Sequence, residues 1–141
     1  MESQTLIELG QRELGMLQEF LGALQAERDS IISFSLEGVI RENNRKEEIL
    51  KRLEYLEAEK EKIFSSAADR ASLTETEAWH SLGEKIQEHV REVKTALEKN
   101  MKLLSFSMDH VKTSVEKIID FINRTSYRKG RSLSIMVSRK V

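Results

Sequence analysis

From Trp79 to Ile122 apolar side chains recur every three or four residues, and no proline interrupts them or occurs anywhere in the 141-residue chain. The stripe reads Trp79, Leu82, Ile86, His89 or Val90, Val93, Leu97, Asn100, Leu104, Ser107, Val111, Val115, Ile118 and Ile122. That spacing puts every member on one face of a helix. At about 1.5 Å per residue the helix would be on the order of 70 Å long. A helix of that length cannot bury its stripe by itself, so the chain must supply other helices to cover it.

Two upstream seams supply them. The first runs Ile7, Gly10, Leu14, Leu17, Leu21, Leu24, Arg28 and Ile31, alternating three and four residues apart. Near Ser33 it weakens: Ser35 can cap a new helix with Glu37 in its first turn, and Gly38 costs a helix interior roughly 1 kcal/mol relative to alanine. The seam can also be rethreaded through Ile32, Leu36, Val39, Asn43, Lys46, Leu50 and Leu53, so a joint and a continuous helix both remain open. The second seam continues through Ile49, Leu53, Leu56, Lys60, Ile63 and Phe64. Residues 65–73 break the pattern, and Thr74 with Glu77 has the spacing of a capping box.

The expected fold is therefore all-α: an elongated antiparallel bundle or hairpin of three long amphipathic helices at about 3–33, 35–64 and 74–124, with a linker at 65–73. These form one domain, 1–124, followed by a flexible tail at 125–141. The tail is basic. Six of the 23 basic residues and none of the 24 acidic ones fall after Asn123, so the remainder carries 17 against 24, a net of minus seven. Tyr127 is the one aromatic there, too few for a nucleic-acid stacking platform. Arg28 and Lys46, which interrupt the stripes, are expected to expose their charges on long stems. Asn43, Asn100 and Ser107 read either as register control or as a surface left open for a partner.

Charged residues at 33% and aromatics at 6% suit long helices better than a loop-rich catalytic domain. The chain has no cysteine, which excludes disulfides, thiolate metal sites and a cysteine nucleophile. The N-terminus lacks a basic and then apolar leader, and no run of about 18 apolar residues occurs. A soluble, cytoplasmic, non-enzymatic protein without cofactor or membrane insertion is expected. His80 and Glu84 lie one turn apart but lack further ligands for a metal. Arg128-Lys129-Gly130-Arg131 lacks the glycine spacing of a phosphate loop.

The stretch Asn100-Met101-Lys102-Leu103-Leu104-Ser105-Phe106-Ser107-Met108, the amphipathic run to Ile122, and Tyr127 followed by Gly130 resemble the flagellar export chaperone FlgN family. The resemblance covers nearly the whole chain. It implies a cytoplasmic type III flagellar export chaperone that holds hook-filament junction (hook-associated) proteins by their C-terminal segments and delivers them to a membrane protein of the export gate. The cargo-gripping positions it implies are Leu104, Met108, Val111, Val115, Ile118 and Ile122, with Tyr127 as the gate-docking residue. A homodimer is left open, and neither nucleic acid nor a membrane is an implied partner. On periodicity alone the same stripe fits an internal core, and Tyr127 fits a ring packed on the last helical turn. Two other classes compete: a structural coiled-coil or adaptor protein, and a binder of nucleic acid or membrane surface acting through the tail.

Overall fold

The computed structural model of the chain describes residues 2–67 and 70–129, the side chains of Arg70 and of 126–129 excepted. Four helices follow one another: α1 (Glu2–Ile32), α2 (Leu36–Ser66), α3 (Arg70–Thr74) and α4 (Glu77–Lys129). No strand occurs among the described residues, so the chain is all-α. The count of three helices is corrected to four, because part of the expected linker forms α3, which packs against α1 and buries Leu73. The expected cap at Thr74 is also corrected. Thr74 ends α3, and Thr76 caps α4, its Oγ1 accepting from the Trp79 backbone N–H at 3.2 Å. α4 continues to Lys129, past the expected end at Arg124; residues 130–141 of the expected tail lie outside the described residues.

Between α1 and α2 the two readings resolve in favour of a joint. Phe34 adopts φ 56°, and the Phe34 and Ser35 N–H groups donate back to the Ile31 and Ser30 carbonyls at 3.1 and 2.8 Å. Those two bonds and one left-handed residue make a Schellman stop. Ser35 then starts α2, its Oγ accepting from Gly38 N–H at 3.1 Å. Gly38 has a steric reason to be glycine: a Cβ there would collide with Ser30 Oγ, and Ser30 is buried. The two helices meet backbone to side chain at the turn, which lets α2 fold straight back along α1.

The described residues divide into two compact units, one up to Met101 and one from Lys102 onward. Within the first, α1, α2 and the start of α4 form a three-helix bundle. α2 runs antiparallel to α1, with Lys60 Nζ on Glu13 and Lys46 Nζ on Glu27, both at 2.6 Å. α4 runs parallel to α1, with Leu82 against Gly10 and Asn100 against Leu24. Trp79 meets Phe64 edge-on, ring centroids 5.9 Å apart, where α4 crosses the end of α2. The core is Leu6, Leu9, Leu17, Ala23, Leu24, Ile31, Ile49, Leu56, Leu73 and Leu82.

The joint resets the register of α2. Gly38, Glu42, Ile49 and Leu56 are its buried positions, whereas Leu36 and Leu50 of the rethreaded seam are exposed. Lys46 is also corrected: its side chain is 15% exposed and ion-paired, because the α1–α2 seam offers it the Glu27 carboxylate. Arg28 is exposed, in line with the expectation. Glu27 is the hub of a three-helix clamp. One of its oxygens accepts Lys46 from α2, and the other accepts the Asn100 amide from α4 at 3.1 Å. Asn100 donates as well to the Leu24 carbonyl at 2.8 Å, so it is a register residue with its donors satisfied.

Candidate functional site

The second unit begins at Lys102, and its described part is the C-terminal stretch of α4. Helical order follows from the sequence: between Lys102 and Lys129 there is neither proline nor glycine, and apolar residues keep their three-and-four spacing. Local bonds serve the backbone and surface, with Thr125 Oγ1 donating to the Phe121 carbonyl at 2.8 Å. The Phe106 ring stacks nearly parallel on His110 at a centroid distance of 6.4 Å.

All six stripe residues fall on one face. Turning about 100° per residue, Leu104, Met108, Val111, Val115, Ile118 and Ile122 occupy an arc of roughly 80°. Five of them are exposed, from 37% for Val115 to 65% for Met108, and Ile122 is half-buried. Buried core positions in the first unit stand at 9% or less, well below these values. Met108 contributes a flexible, polarisable chain that adapts to more than one surface.

Sequence reasoning passed over three neighbours. Met101, at the end of the first unit, is 69% exposed, while Phe106 and Phe121 in the second are 69% and 62% exposed on other sides of the helix. Their angular positions were readable from the sequence, but attention to a single stripe hid them. Tyr127 sits on the last turns of α4 by its backbone, and its side chain lies outside the described residues.

Nothing in the described residues assembles reactive groups. No three of His, Cys, Asp or Glu gather to hold a metal ion among them. His80 and His110 are exposed, and His89 shares a 2.9 Å hydrogen bond with the Lys85 carbonyl through Nδ1. A groove of about 620 Å³ runs between α1 and α4 of the first unit and is lined by charges of both signs, including Arg28, Arg91, Glu88 and Glu92. No helix among the described residues is long and apolar enough to cross a membrane.

A three-helix bundle in the first unit and an exposed apolar stripe on the helix of the second make this an all-α protein of long amphipathic helices. The family model described as FlgN protein matches residues 1–133, and the chain belongs to that family. FlgN proteins are flagellar export chaperones rather than enzymes. No curated protein and no solved structure matches the chain.

Proposed function

We propose that this chain is a cytoplasmic chaperone of the flagellar type III export system that holds hook-filament junction proteins by their C-terminal segments and hands them to the export gate. The carrying observation is the open apolar face of α4, in a chain of a chaperone family. Leu104, Met108, Val111, Val115, Ile118 and Ile122 grip the cargo, and Tyr127 docks at the gate membrane protein. Covering the cargo's apolar segment keeps it from assembling before export.

The magnitudes suit a carrier that must also release. A fully buried aliphatic side chain contributes about 1.5–3 kcal/mol, and these six are already about half withdrawn from water, so the face offers roughly 5–9 kcal/mol. The cargo's matching side chains contribute a similar amount, set against about 4–15 kcal/mol for lost freedom on association. The range left over includes the ~8 kcal/mol of a micromolar complex. The competing reading, a structural coiled-coil adaptor, requires the same face to be permanently covered. Val115→Glu separates them: cargo binding is lost with helix content and melting unchanged if the face is a docking surface. Unfolding of that variant would make the stripe a core and sink the chaperone assignment.

A further inference from the structure

The stripe occupies less than half of the uncharged surface of the second unit. At about 100° per residue, every charged residue from Lys102 to Arg124 (Lys102, Asp109, Lys112, Glu116, Lys117, Asp120, Arg124) falls within an arc of roughly 140°. Over residues 102–124 the rest of the circumference carries no Asp, Glu, Lys or Arg; Arg128 and Lys129 of the final turn fall on it by sequence position. Beside the stripe come the small hydroxyls of Ser107 and Ser114, and beyond them Leu103, His110 and Phe121 form a second face about 100° away from the first. Phe121 is 62% exposed there.

A helix meeting one neighbour needs an apolar stripe about 100° wide. Within this same chain α1, which lies between α2 and α4, shows what two neighbours need: its buried positions run from Ser30 through Glu27, Leu9 and Leu24 to Gly10, an arc of about 160°. The arc from Phe121 to Ile119 on α4 is equally about 160° wide. Interface size argues the same way. One helix laid along 104–122 covers a strip some 27 Å by 10 Å, or about 300 Å², against roughly 800 Å² a side for a stable specific complex. A second helix on the Leu103–Phe121 face brings the contact toward that size. The outer edge of this face is cationic, with Lys117 and Arg124, so its occupant carries acids along one flank.

We infer that the second unit binds an amphipathic helical hairpin of its cargo, one helix on the Leu104–Ile122 stripe and the other, acid-flanked, on the face of Leu103, His110 and Phe121. The inference rests on the export-chaperone reading and adds the form of the cargo. Ser107 and Ser114 sit under the junction of the two cargo helices, where small side chains let both approach closely.

The test titrates the full chain with the C-terminal segment of a junction protein from the same genome and repeats the titration with Leu103→Ser/Phe121→Ser and with Ser114→Glu. Each is expected to weaken binding by at least about tenfold, the scale set by losing one or two buried apolar side chains or burying a charge. Tyr55→Ser, which removes an equally exposed ring from α2 in the first unit, should change affinity less than about threefold. Circular dichroism on each variant alone confirms unchanged helix content. Unchanged affinity in the second-face variants, with Val115→Glu abolishing binding, would overturn the hairpin and leave the chaperone reading standing with a single cargo helix. No binding by the unaltered chain, with a sedimenting dimer that Phe121→Ser dissolves, would assign both faces to a second copy and overturn both readings.

Discussion

Asn100→Ala should be strongly destabilising for a single truncation of a neutral polar side chain in the bundle. Asn100 is 4% exposed, and its amide nitrogen donates to the Leu24 carbonyl at 2.8 Å and to Glu27 Oε1 at 3.1 Å. A neutral hydrogen bond contributes about 0.5–1.5 kcal/mol and one to a charged group about 1.5–3 kcal/mol, so losing both removes roughly 2–4 kcal/mol. Glu27 keeps Lys46 on its other oxygen, which prevents the larger loss of a buried charge left without any partner. Urea unfolding followed by far-ultraviolet circular dichroism reads the change from the midpoint at constant slope. In a double-mutant cycle, Lys46→Met and Asn100→Ala should couple by about 0.5 kcal/mol or more, because both act on one carboxylate. A loss below about 1 kcal/mol with no coupling would refute the clamp and leave the three polar groups as incidental neighbours.

Other consequences concern the joint and the open face. Phe34→Gly should raise stability by about 1 kcal/mol, because Phe34 holds φ 56° while 65% exposed, so relief of the left-handed conformation outweighs the little burial lost; a drop in the urea midpoint would contradict this. Gly38→Val should cost about 2 kcal/mol or more by driving a branched side chain into Ser30, and an unchanged midpoint would show the hairpin turn to be looser than described. Met108→Glu should abolish binding of a junction-protein segment in titration calorimetry while leaving the melting curve in place, since Met108 is 65% exposed in the free chain. Tyr127→Ala should leave cargo affinity within about twofold, since Tyr127 is not among the proposed gripping positions, and weaken capture by the purified cytoplasmic part of the gate protein; unchanged capture would remove Tyr127 from the docking role.

Much of this fold can be read from periodicity because long helices repeat one physical rule. The joint after Ile32 was legible in Ser35, Glu37 and Gly38, whose types suit a cap and a close approach. Its left-handed residue was not, since Phe34 is bulky where a glycine is usual and only the closure of two hydrogen bonds onto Ser30 and Ile31 holds it there. The register of α2 was ambiguous because Leu36, Val39 and Leu50 imitate a continuation of the first seam. A three-residue interruption rotates the helix and turns Leu36 and Leu50 outward. Lys46 looked like an exposed stem because a lone cation on a stripe has no visible partner; Glu27 lies 19 residues earlier on another helix, and pairing at that distance is a property of the fold.

The open face was legible as a stripe and illegible as open. The same spacing produces a core when a neighbouring helix covers it, as on α1, and an exposed apolar face when none does. Only exposure separates the cases, and it separates Leu24 at 1% from Met108 at 65%. Phe121 escaped notice for a different reason: it belongs to a second face about 100° away, which a search for one repeating seam does not see.

The most direct measurement is calorimetric titration of the full chain with the C-terminal segment of a hook-filament junction protein from the same genome. One-to-one binding at micromolar affinity or tighter, lost in Val115→Glu, is the result this account predicts. No heat of binding, with the same segment competent toward another chaperone in parallel, would contradict it and favour a structural helical adaptor.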